Sequence, residues 1–166
     1  MSAALPGATL ARAAGFWAGR STRLGTTWHE PDDIARARYT ANCFRELDGF
    51  LRVLLDEVAP SPAPRQRNTA NKLGAMTLAG HATGGVPAAD CARLRAIGRS
   101  AACLFHLDGW VRRPDIAAGG WMTAGWPDGE GSALRRYPLG DRLRPKGDDV
   151  ADVCGFFLRI GEAVRA

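Results

Sequence analysis

Between Ala37 and Val58 apolar residues return every three or four positions, at Ala37, Ala41, Phe44, Leu47, Leu51, Leu54 and Val58. That period is helical. It predicts one amphipathic helix of about 27 residues, opened by Pro31 in the first turn and by Asp32 and Asp33 near the positive end of the helix dipole. A stripe of this length has to be covered by other helices, and it stops before Pro60-Ser61-Pro62-Ala63-Pro64, a stiff turn or crossover.

The remaining segments supply that cover. A second helix is predicted from Gln66 to His81, with Ala70, Leu73, Met76 and Ala79 inward and a stop at Gly84-Gly85; His81 there is a favourable cation at a helix C-terminus. A third helix opens at Pro87 and ends at Asp108-Gly109. A last one begins at Asp148 and Asp149 and carries Val150, Val153, Phe156, Phe157, Ile160 and Val164. Between the last two the texture turns strand-like at Trp110–Arg113 and Leu134–Tyr137, around a segment rich in Gly and Trp, which predicts a short hairpin or irregular excursion. Residues 1–29 read as a flexible N-terminal arm, with a short helix around Leu10 to Trp17 that packs Phe16 and Trp17 on the body. The expected fold is all-α, an antiparallel four- to five-helix bundle over residues 30–166 with a small β-hairpin inserted before the last helix.

Composition narrows the function. The 166 residues suit one domain with a real core, and 46% hydrophobic with 23% charged residues is ordinary for a soluble globular protein. No apolar run approaches the roughly 20 residues of a membrane span, so no membrane association is expected. The formal charge of +5 favours a polyanionic partner. The excess is local: from Arg65 to Arg113 eight basic residues (Arg65, Arg67, Lys72, Arg93, Arg95, Arg99, Arg112, Arg113) face only Asp90 and Asp108. Cys43, Cys91, Cys103 and Cys154 show no C-x-x-C spacing, and His29, His81 and His106 pair with no ligand at metal spacing. Reduced, partly buried thiols in a cytoplasmic protein are expected, with neither metal nor cofactor.

The stretch that carries chemistry is Arg99-Ser100-Ala101-Ala102-Cys103-Leu104-Phe105-His106. Seven positions at about 100° each make nearly two turns, so Arg99 and His106 share a face, and helical side chains lean toward the N-terminus, so His106 points back toward Arg99. The apolar stripe is Leu94, Ile97, Ala101, Leu104 and Phe105. Arg95, Arg99 and His106 lie opposite, beside the small residues Ala92, Ala96, Ala102 and Cys103.

A helix bearing Arg, a polar residue and then His, followed by Asp108-Gly109-Trp110-Val111, by Leu139-Gly140-Asp141-Arg142-Leu143 and by a closing helix begun at Asp148-Asp149-Val150, resembles the HEPN superfamily. The resemblance runs from about Asp32 to Val164. Six residues separate Arg99 from His106, the upper edge of the family spacing, and Ser100 stands where Asn or Asp is more usual. It implies a helical bundle that homodimerises and sets two Arg/His pairs across a shared cleft, in many members a metal-independent endoribonuclease of toxin or phage-defence type. Carried onto this chain, Arg99 would neutralise the scissile phosphate, Ser100 would be its polar companion and His106 the general acid or base, with Arg95, Arg112 and Arg113 contacting RNA. RNA brings its own 2′-hydroxyl nucleophile, so an imidazole and a fixed cation suffice in principle. Other members lack activity and serve as nucleotide-binding or structural modules, which gives as the alternative a non-catalytic module that binds a nucleotide or RNA in the same cleft. From a different class comes a protein-interaction role, in which Trp110, Trp121 and Trp126 dock a partner such as an antitoxin.

Overall fold

The computed structural model describes residues 4–22, 33–59, 68–78, 88–129 and 133–165. It contains helices α1 (Ala4–Ser21), α2 (Asp33–Val58), α3 (Thr69–Leu78), α4 (Ala88–His106) and α5 (Gly147–Arg165), with strands β1 (Trp121–Pro127) and β2 (Leu134–Pro138) between α4 and α5. Among the described residues the chain is mostly helical with one small antiparallel sheet, as the periodicity predicts. The expected helix boundaries at Pro31-Asp32, Pro60–Pro64, Gly84-Gly85 and Pro87, and the residues His29, Arg65, Arg67, Ala79 and His81, lie outside the described residues.

The long helix is the axis of the packing. Its stripe residues Ala37, Ala41, Phe44, Leu47, Leu51 and Leu54 are all fully buried, and α2 touches each of the other four helices. Asp33 opens it as a charge-accepting first-turn residue. Its buried carboxylate takes Arg142 at 2.9 Å and Arg144 at 3.1 Å through Oδ2, which ties the start of α2 to the segment that returns from the sheet. At the far side Arg159 of α5 donates two bonds to Asp90 of α4, at 3.0 and 2.8 Å, the planar fork matching a carboxylate.

Two expectations about the ends of the bundle are corrected. The N-terminal segment, read as a flexible arm with a helix at 10–17, forms an 18-residue helix whose Leu10 and Ala14 are buried against α5 and α2. Its sequence is rich in alanine, the strongest helix former, and Pro6 falls in the first turn where a missing amide hydrogen costs little. Trp17 packs as expected, edge-on to Tyr39 at 5.0 Å and donating to Glu46 at 3.0 Å, whereas Phe16 remains 54% exposed.

The hairpin exists, but its first strand is not Trp110–Arg113. β1 lies within the Gly- and Trp-rich segment and pairs with β2 in the register Trp121↔Pro138, Met122↔Tyr137 and Thr123↔Arg136, with an irregularity before Pro127↔Leu134. Trp110 keeps only an isolated bridge to Arg142. The cause is the sharp end of α4: Asp108 (φ 49°) and Gly109 (φ 87°) turn the chain, and the Gly109 amide returns to the Cys103 carbonyl at 3.1 Å. A side chain at Gly109 would meet the Leu143 carbonyl at 2.8 Å, so this glycine is required where the exit from α4 crosses the return segment.

Candidate functional site

Helix α4 is covered on two sides, by α2 and α3 on one and by β1 on the other. Only a narrow strip remains open. From Ala92 onward its exposed residues are Ala92, Arg95, Gly98, Arg99, Ala102 and His106, spaced three, three, one, three and four apart as one face of a helix must be. Gly98 and Ala102 make a low floor between the charged side chains.

Arg99 and His106 line the same groove, about 620 Å³ in volume, together with Arg112, Arg113, Cys103 and Met122. Val111 pins the wall opposite α4, being buried and donating to the Asp141 carbonyl at 2.8 Å, so Arg112 and Arg113 project from an anchored segment. His106 is the last residue of α4, exposed, with its ring edge-on to Phe105 at 5.0 Å. Burial pushes the Cys103 thiol up to about 11, which keeps it protonated and unsuited to act as a nucleophile at neutral pH.

Arg99 is not a free cation. Its Nε pairs with Asp115 Oδ1 at 3.0 Å. Asp115 is itself held by the sheet, accepting the Thr123 amide at 2.8 Å and donating its own amide to the Trp121 carbonyl at 3.0 Å. Among the described residues Asp115 Oδ1 accepts no hydrogen bond, so the pairing positions the guanidinium by charge and leaves its N–H donors for a phosphate, at the cost of part of its charge. Nothing periodic in the sequence marks Asp115.

Ser100 does not belong to this groove. It is fully buried, and its hydroxyl accepts the Gly125 amide of β1 at 3.2 Å, so the expected polar companion of the Arg/His pair is instead a helix–sheet contact. Its helical neighbours Ile97 and Leu104 place it on the buried side once β1 covers that side. Ser100→Ala is therefore expected to cost about 1–2 kcal/mol by leaving a buried amide unpaired. Urea unfolding checks this; unchanged stability would contradict the helix–sheet contact.

The basic excess also redistributes. Arg93 donates to the Gly125 carbonyl at 3.1 Å and pairs with Asp152, and Lys72 pairs with Asp56. Arg95 bonds to Asn71 at 3.2 Å and lines a neighbouring groove of about 650 Å³ with Arg99, Asp48, Asn68 and Thr69. Arg99, Arg112, Arg113 and His106 are what remain around the first groove.

Asp48 is a second acid that sequence reasoning passes over. It reaches both the groove of Arg95 and a third one, about 410 Å³, lined by Arg45, Arg52, Phe105 and His106. Burial raises its carboxyl above the ordinary value of 3.8, opposed by the Thr69 hydroxyl at 2.9 Å and by Arg52. A carboxyl raised on folding stabilises the fold fully below its unfolded value near 4, and that contribution is lost as pH rises through the folded value. Asp48→Asn removes the loss. Its urea midpoint relative to wild type should therefore be higher at pH 7 than at pH 4; a difference that is flat or reversed with pH would contradict the assignment.

Among the described residues, no group of three or more His, Cys, Asp and Glu side chains is placed to hold a metal ion, and no helix is long and apolar enough to cross a membrane. All four cysteines are unpaired and buried, Cys43 of α2 and Cys154 of α5 lying close enough to perturb each other's titration. No family model, curated protein or solved structure matches the chain.

Proposed function

We propose that this chain is a metal-independent endoribonuclease with a HEPN-like helical bundle, acting in the cytoplasm as a toxin or defence factor. One observation carries the reading: Arg99 and His106, two turns apart on the open strip of α4, border a single groove with Arg112 and Arg113. Arg112 and Arg113 hold the backbone of the RNA by charge. Arg99, aimed by Asp115, donates to the non-bridging oxygens of the scissile phosphate. His106 takes the proton of the 2′-hydroxyl; O2′ bonds to phosphorus as the bond to O5′ breaks, giving a 2′,3′-cyclic phosphate and a 5′-hydroxyl. The departing O5′ takes its proton from solvent or from the second His106 that a homodimer brings to a shared cleft. Internal cleavage of RNA in excess chelator, with products ending in the cyclic phosphate, tests the proposal; intact RNA at stoichiometric protein overturns it.

The Arg99–Asp115 ion pair and the burial of Ser100 favour a second reading, a non-catalytic module that binds RNA or a nucleotide in the same groove. Binding that weakens steeply with salt and never leads to cleavage distinguishes it.

A further inference from the structure

Two of the three tryptophans that follow α4 are left open. Trp126 is fully buried against Phe44 and Tyr137 and can dock nothing, but Trp110 is 41% exposed and Trp121 40%. Both are attached to the same short piece of backbone. Trp121 pairs with Pro138 and Trp110 with Arg142, at either end of the β-turn Pro138–Asp141, which is closed by the Asp141 amide on the Pro138 carbonyl at 3.1 Å with Gly140 at φ 89°.

Each ring also carries an arginine. The Arg136 guanidinium lies 5.1 Å from the centre of Trp121, and Arg112 and Arg142 lie 5.8 and 5.5 Å from that of Trp110. Arg142 is fixed, with 14% of its side chain exposed, donating to the Asp108 carbonyl at 2.9 Å and to Asp33. Arg112 and Arg136 are exposed and are free to exchange a ring face for a phosphate. The surface adjoins the groove described above on the Trp110 side, because Arg112, which lies over that ring, belongs to the groove's lining.

From this arrangement, and resting on the reading of the groove as an RNA site, we infer that Trp110 and Trp121, with Arg112 and Arg136, form a stacking platform for unpaired bases of single-stranded RNA. Its chemistry is that of sequence-tolerant single-strand binding: aromatic faces take bases of any identity while guanidinium groups follow the backbone. A duplex hides its base faces, so the platform selects single strands. The two exposed guanidinium groups beside the rings favour a polyanion over a protein contact, in which they would need acidic partners.

The test uses a fluorescein-labelled, 2′-O-methylated single-stranded RNA, which lacks the nucleophile and cannot be cleaved through the 2′-oxygen, so the result is independent of whether the groove catalyses anything. Binding is read by anisotropy and compared with an abasic strand of equal length and charge, and with the duplex. Wild-type protein is expected to prefer the base-bearing strand over both. Trp110→Leu and Trp121→Leu should each reduce that preference by about five- to tenfold, the low end of the value of one base–aromatic stack, while leaving the abasic strand's affinity unchanged. Equal binding of base-bearing and abasic strands by wild type overturns the inference and leaves the two rings as a protein contact; so does duplex binding as tight as the single strand, or a preference that survives in the double variant. Failure of the nuclease reading shows elsewhere, as unmodified RNA left whole.

Discussion

His106→Ala is expected to lower RNA cleavage by about 10²–10⁴, the range that one general acid or base contributes, with the helical content of the protein unchanged. The fold should not notice the substitution. His106 is exposed at the end of α4 and among the described residues makes no hydrogen bond or ion pair, so truncation falls within the roughly 0.5 kcal/mol typical of surface changes. Arg99→Ala should cost about 10²–10³ by removing the donor to the phosphate, and Arg99→Lys should recover only part of this, because an ammonium restores charge without the planar fork. Arg99→Ala also strips Asp115 of its cation, and that carboxylate, with 15% of its side chain exposed, is then left uncompensated beside the groove wall at Pro114. Adding Asp115→Asn separates the two effects. If the loss came from a repelling carboxylate, the double variant would regain cleavage; if it came from the missing guanidinium, it would stay low. Rates in excess chelator, read against thermal melts of each variant, decide between these, and unchanged rates in both single variants would remove the catalytic assignment.

How much of this site was legible in the sequence depended on how many neighbours each residue has. The stripes of α2 and α5 are read correctly because each is a simple apolar face, and Arg99 and His106 come out on the open side of α4 because their spacing alone puts them on one face. The other side of α4 misleads. A helix covered on one flank has a single narrow stripe, but α4 is covered on two, so Ala96, Ser100 and Cys103, which look like borders of the polar face, are buried. Ser100 thereby changes from a companion of the Arg/His pair to an anchor for β1. The strand itself was hidden by its own composition: Gly125 and Pro127 carry turn signals, while Trp110–Arg113 has the better strand pattern but follows a helix cap that turns it aside. Asp115 belongs to the same blind spot. It sits in an irregular segment with no period, and only the folded sheet brings it to Arg99.

That sheet stands where it does because of one glycine, and Gly125→Ala is expected to destabilise the protein by about 3 kcal/mol, at the upper end of what overpacking costs. A Cβ at Gly125 would lie 2.3 Å from Cγ1 and 2.7 Å from Cα of Ile97, so both side chain and backbone of α4 stand in its way. Strand and helix must then part. Parting them stretches the bond from the Gly125 amide to Ser100 and that from Arg93 to the Gly125 carbonyl, the two hydrogen bonds that seat β1 on α4. For a chain of this size the melting temperature should fall by about 6–12 °C. Cleavage should fall as well, even below the melt, since Asp115 is held by Thr123 and Trp121 of the displaced strand and would no longer aim Arg99. A double-mutant cycle with Ile97→Ala gives the sharper result. Removing Cγ1 relieves only the nearer conflict, and the one with the helix backbone persists, so the paired cost should be less than the sum of the single costs while cleavage remains depressed. Strict additivity would mean that strand and helix do not meet at these two residues, and the placement of β1, with the aim of Arg99 that follows from it, would have to be given up.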